Sequence, residues 1–168
     1  KLWKAIYSSI EEENLFELEW TLGRHNTFLE HFVPLTFVGN HDTSRIASVL
    51  GADGALTAHA ILYTLGGMPA LYYGDEQAFR GIKEERIGGD DDVRQAFPDS
   101  PSDFFGEGPA TRDAIAGLIG VRRAHPWLVT ARTEVVDIAN EKMTYRAHEH
   151  GGERFLDVEI TLDESPRA

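Results

Sequence analysis

The 168-residue chain contains no cysteine and only two methionines. Without cysteine no disulfide can staple the fold, and no thiolate is available to a metal. This absence does not choose a compartment, since oxidising and reducing environments both tolerate cysteine-free proteins. Basic residues are also scarce, with 16 Lys and Arg against 28 Asp and Glu and a formal net charge of −12. An acidic balance of this size disfavours nucleic acid and anionic membrane surfaces as partners. No internal repeat, low-complexity tract, phosphate-cradling glycine motif, leader-like N-terminus or uninterrupted apolar span stands out. Localisation is undetermined on these grounds, with the cytoplasm favoured.

Two segments carry most of the information. After Pro34, the apolar run Leu35-Thr36-Phe37-Val38 suits a strand covered on both sides, as in a parallel sheet. Its end turns abruptly polar, with Gly39, Asn40, His41 and Asp42. The second segment repeats the layout: Ala70 to Tyr73 reads as a strand, with Gly74, Asp75 and Glu76 as its polar exit. Between them Ala58, Ile61, Leu62 and Leu65 follow helical spacing, and Gly66-Gly67 with Pro69 form a stop signal. Strand, helix and strand make a βαβ unit, which places both polar ends on one rim.

The pairing of Asn40-His41-Asp42 with Gly67-Met68-Pro69-Ala70-Leu71-Tyr72-Tyr73-Gly74-Asp75-Glu76 resembles the closing strands of the catalytic barrel in the α-amylase family of glycoside hydrolases. The stretches Phe79 to Arg86 and Gly89 to Arg94 resemble the loop that follows that barrel in bacterial members. The resemblance implies a retaining hydrolase or transglycosidase acting on α-glucosidic bonds, with an α-glucan or α-glucoside as partner and no cofactor. It implies that Asp42 is the transition-state stabiliser, gripping the 2- and 3-hydroxyls of the sugar next to the scissile bond. His41 would donate to the same sugar, Asn40 would fix the loop or contact substrate, and Arg45, one turn into the next helix, would orient carboxylates in the site.

On spacing alone Asp42 also fits the N-cap of a helix running from Thr43 to Leu50. Asp42 and Asp75, at the ends of adjacent strands, could imitate a retaining carboxylate pair. The family places its nucleophile and acid/base elsewhere, so Asp75 and Glu76 are read as rim residues closing the barrel. The family's Gly-x-Arg-x-Asp nucleophile motif and the Glu-bearing strand after it do not occur in this sequence. A whole (β/α)8 barrel takes roughly 250 residues. The expected fold is therefore α/β, the C-terminal part of a TIM barrel with about its last two strands and their helices. Residues 1–126 would form it, and 127–168 would begin an antiparallel β-sandwich domain. Such a chain is expected to be inactive alone. The alternative is a non-catalytic module that binds carbohydrate or pairs with another polypeptide, its exposed strand edges driving self-association.

The remaining segments read more plainly. Leu2, Trp3, Ile6, Tyr7 and Ile10 make a helical stripe that starts inside, or just at, a helix. Trp20, Leu22, Phe28, Leu29 and Phe32 read as core anchors. Residues 88–108 form an irregular excursion, and a helix from about Thr111, its candidate N-cap, to Ala124 buries Ile115, Leu118 and Ile119 and carries Arg122 and Arg123 in its last turn. Val135-Val136, then Met143, Tyr145 and Ala147, then Leu156, Val158, Ile160 and Leu162 alternate as strands around a Gly151-Gly152 turn. Asp90-Asp91-Asp92 is a solvated acidic loop rather than a calcium site, and His125, His148 and His150 lack the companions of a zinc site. Tyr72 and Tyr73 alternate across their strand, as core or as a sugar platform.

Overall fold

A computed structural model describes residues 2–104 and 106–162. Two N-terminal helices, α1 (Leu2–Glu11) and α2 (Phe16–Leu29), lead into β1 (Leu35–Thr36). Helix α3 (Ile46–Thr64) crosses back to β2 (Met68–Pro69), which pairs parallel with β1. After an irregular stretch with three short 3-10 turns comes α4 (Gly108–Ala124) and then an antiparallel sheet of β3 (Arg132–Ile138), β4 (Lys142–His148) and β5 (Phe155–Thr161).

The βαβ unit is present, but its ladder is shorter and shifted. Pairing matches Leu35 with Met68 and Thr36 with Pro69, and the Ala70 N–H still donates to the Thr36 carbonyl at 2.7 Å, so the chain leaves the ladder after Ala70 and Leu71 to Tyr73 form no second strand. Each strand has a single described neighbour, and the bonds from β2 to β1 come from the Met68 and Ala70 N–H groups, so the missing N–H of Pro69 costs the ladder nothing. Nor is β1 covered on both sides. Thr36 and Val38 are buried, whereas Leu35 is 63% exposed and Met68 55%. Trp20, Phe28 and Phe32, expected in the core, are exposed as well. Trp20 instead carries the guanidinium of Arg24 over its ring at 4.7 Å. Together with Leu35 and Phe37, Trp20 and Phe28 line a groove of about 600 Å3 beside β1.

One core joins the helices to the antiparallel sheet. Ile6, Leu18, Leu22, Ile61 and Leu62 pack in a single cluster with Met143, Tyr145, Val158 and Ile160. The alternation read from β4 and β5 produces this directly, because residues two apart share a face. Tyr145 is fully buried, and its hydroxyl is satisfied by Thr64 Oγ1 at 2.5 Å. Between Val135 and Asp137 the register with β4 slips, so Val136 bulges outward and is 57% exposed.

Helix α3 is long and apolar enough to cross a membrane by composition, yet most of it is buried within this core. Gly51, at φ +72°, breaks its path into two segments. Two cap assignments are corrected. Helix α3 begins at Ile46, so Asp42 lies too far ahead of it to act as N-cap. Helix α4 begins at Gly108, with Pro109 in its first turn, and Thr111 sits inside it, its hydroxyl bonding back to the Glu107 carbonyl at 2.9 Å. Arg122 does not serve its own helix end. It reaches the carbonyls of Tyr63, Leu65 and Gly67 at and beyond the end of α3, where carbonyls lack helical partners.

Candidate active-site turn

At the end of β1 the backbone passes through buried Val38 and Gly39 and emerges at Asn40, His41 and Asp42. The Asn40 side-chain oxygen accepts the Asp42 backbone N–H at 2.8 Å, closing a tight turn with its own side chain. That bond gives Asn40 a loop-fixing role. It leaves the side chains of His41 and Asp42, 63% and 59% exposed, facing solvent. His41 Nε2 stands 3.3 Å from Asp42 Oδ2, close enough for the imidazole to donate when that nitrogen carries a proton.

Arg94 completes this surface, although sequence reasoning assigned it no role there. Its Nη2 is 3.4 Å from Asp42 Oδ1 and 2.8 Å from Asp90 Oδ2, and its Nε donates to the His41 carbonyl at 3.2 Å. Lys83 Nζ approaches the other Asp90 oxygen at 3.6 Å. The acidic run is thus countered by cations at its first member. Among the described residues no cluster of three or more His, Asp or Glu is arranged to hold a metal. The i, i+4 spacing of Asp90 and Arg94 was the available sequence signal for that pair.

Arg45 is placed differently from expectation. It precedes α3 rather than lying a turn inside it, and it is buried, so it does not share the surface of His41 and Asp42. Its carboxylate partner is Asp75, with Nη1 at 2.9 Å from Oδ1. The same nitrogen donates to the Tyr73 carbonyl at 2.6 Å. Tyr72, Tyr73 and Phe79 gather around the guanidinium, and the tyrosine rings meet edge-on at 4.8 Å. The tyrosine pair therefore serves Arg45, with Tyr72 half-buried and Tyr73 at the margin of exposure. Asp75, expected on the rim, is interior. Burial pushes its carboxyl up to about 6 against the opposing pull of Arg45. Glu76 stays half-buried, and its carboxylate accepts the Gly74 N–H at 2.9 Å.

A family model described as the alpha amylase catalytic domain matches residues 5–149. The chain belongs to the α-amylase family. Over 54 residues it is 41% identical to a 4-alpha-glucanotransferase of Thermotoga neapolitana, which is 30% of this chain and 12% of that protein. Over 83 residues it is 35% identical to an alpha-amylase of Streptomyces lividans, 42% of this chain and 8% of that one. Among solved structures, the alpha-amylase from H. orenii superposes with a TM-score of 0.76 at 21% identity, covering 96% of this chain and 38% of the other. AmyP in complex with maltose gives 0.80 at 16% identity, covering 96% and 38%. These neighbours share the TIM-barrel fold of that catalytic domain, and the chain superposes on a part of it. The chain spans a small fraction of the curated relatives it matches and well under half of these solved ones.

Proposed function

We propose that this chain forms the transition-state-stabilising rim of a retaining glycosidase or transglycosidase acting on α-glucosidic bonds. Residues 1–126 would be the closing part of the barrel and 127–168 the first strands of a following β domain. The observation that carries the reading is the turn after β1, where Asn40 fixes the backbone and leaves His41 and Asp42 open to a ligand at the C-terminal end of a parallel strand. Asp42, as a carboxylate, accepts hydrogen bonds from the 2- and 3-hydroxyls of the sugar at the cleaved bond. Those bonds tighten as the ring flattens and positive charge develops. His41 donates to the same sugar, and Arg94 holds the carboxylate from outside. Both an amylase and a glucanotransferase occur among the relatives, so the acceptor of the glycosyl group is water or another sugar.

Bond cleavage requires a nucleophile and an acid/base flanking the bond. The motif that carries the family's nucleophile does not occur in this sequence. The purified 168-residue chain is therefore expected to show no turnover of a chromogenic α-glucoside or a maltooligosaccharide, whereas a protein joining it to those two carboxylates turns over. Activity of the chain alone above contaminant level would overturn this reading.

The second reading, a non-catalytic binding or assembly module, draws its support from the β1 edge. Leu35, Met68 and Trp20 are exposed beside a strand with one described partner. Such an edge favours self-association. Sedimentation of the chain is expected to show concentration-dependent oligomers, reduced by Leu35→Lys. A monomer that melts cooperatively at all concentrations would contradict this expectation.

A further inference from the structure

Beneath the exposed turn lies an ion pair that stability alone does not explain. The side chains of Arg45 and Asp75 are each 1% exposed. Burying two charges is costly, and apolar replacements of such pairs are often neutral or stabilising. Nor is the pair fully satisfied, since Asp75 Oδ2 and Arg45 Nε and Nη2 have no hydrogen-bond partner. Its placement, rather than its bonding, distinguishes it. Asp75 Oδ2 is pressed against Gly39, where an added Cβ would stand only 2.6 Å from it. Gly39 lies three residues before Asp42, and Arg45 lies three residues after it.

The end of the turn after Asp42 is thus bonded to the segment after β2, while at the Gly39 end Asp75 fills the space a side chain would take. The Arg45 side chain binds Asp75 and the Tyr73 carbonyl, and its backbone N–H donates to Gly81 O at 2.9 Å. Ser44 Oγ accepts the Lys83 N–H at 3.0 Å, and Ser48 Oγ accepts that of Gly81 at 2.7 Å. Only the middle of the turn, with His41 and Asp42, is left exposed.

We propose that Arg45 and Asp75 are positioning residues for Asp42, a buried clamp whose ion pair anchors the Arg45 end of the turn and packs against its Gly39 end so that the Asp42 carboxylate meets the sugar correctly. The inference rests on the reading of Asp42 given above. Neither residue touches substrate. The clamp works through charge, and the charged groups facing Asp75 are Arg45, which favours its ionised form, and Glu76, which opposes it. Protonation of Asp75 weakens the clamp, and its carboxyl is raised to about 6 by burial. Catalysis then carries a step in that range that Asp75→Asn removes.

The test uses the complete protein that contains this chain, comparing the parent with Asp75→Asn, the double variant Arg45→Met/Asp75→Asn, and Asp42→Asn. Values of kcat and KM for a maltooligosaccharide are measured from pH 4.5 to 8. Misplacing a reacting group by about 1 Å costs about 100-fold, so Asp75→Asn is expected to lower kcat about 100-fold at pH 7.5 with KM within about threefold. The step near pH 6 is expected to vanish. The double variant buries no charge, so it keeps the fold and stays as slow as the single one. Parental kcat and an unchanged pH profile in the folded double variant, with Asp42→Asn inactive, would overturn the clamp alone. Parental kcat in Asp42→Asn would instead overturn the reading of Asp42, and the clamp with it.

Discussion

Asp42→Asn, in the complete protein, is expected to lower kcat for an α-glucan by about 100- to 1000-fold, the range for removing one group aimed at transition-state charge. The substitution keeps the shape of the side chain and removes its charge. Asn40 still accepts the Asp42 backbone N–H, because that bond does not involve the replaced group. Folding should hardly change, since the side chain is 59% exposed and its contact with Arg94, at 3.4 Å, is a surface pair worth at most about 1 kcal/mol. A large loss of kcat at unchanged melting temperature separates a chemical role from a structural one. KM should move little, because the lost interactions strengthen mainly as the glycosidic bond breaks. Turnover within threefold of the parent would end the proposed role of Asp42.

The second large effect is on stability and needs only the 168-residue chain. Arg45→Met is expected to destabilise the fold by about 3–5 kcal/mol near neutral pH, because it leaves a buried carboxylate without its counter-charge. Urea denaturation reads this directly. Its pH dependence follows from the Asp75 carboxyl, which is raised to about 6 in the folded parent against about 3.9 for an unperturbed Asp. A folded-state value above the unfolded one means that the folded state holds the proton more tightly. The contribution of Asp75 is therefore fully present below about pH 4 and is lost as pH rises through about 6. Removing Arg45 takes away the main influence lowering that value, so it rises further. The Arg45→Met penalty should accordingly be larger at pH 8 than at pH 5. Adding Asp75→Asn should recover much of it, because no charge then remains buried. A penalty that is small, or independent of pH, would mean that water reaches the pair.

Some of this molecule was legible from local pattern. Helical spacing marks Ile6 and Ile10 in α1 and Ile61 and Leu62 in α3, and two-residue alternation marks Met143, Tyr145 and Ala147 in β4. Both arise from the repeat of the backbone itself. The same rules misplaced element ends. Asp42 and Thr111 have the right chemistry for caps, but caps are decided by where the first helical turn closes, and that depends on packing. Trp20, Phe28 and Phe32 have the composition of core residues. They lie exposed because burial depends on what other elements cover them, and among the described residues β1 has one neighbour.

What the sequence by itself determined is the parallel βαβ unit, the helix before the antiparallel strands, those strands' alternation and the turn that carries Asn40, His41 and Asp42, together with the α-amylase resemblance of the surrounding motifs. These are consequences of short-range spacing and of residue chemistry, both readable along the chain. Only the tertiary structure decided that Arg45 is buried, that its carboxylate partner is Asp75, thirty residues away, and that Arg94 reaches Asp42 from fifty-two residues away. A charged residue looks the same in sequence whether water or a buried counter-charge surrounds it. Its energetic role is set by the dielectric and partners that folding brings to it.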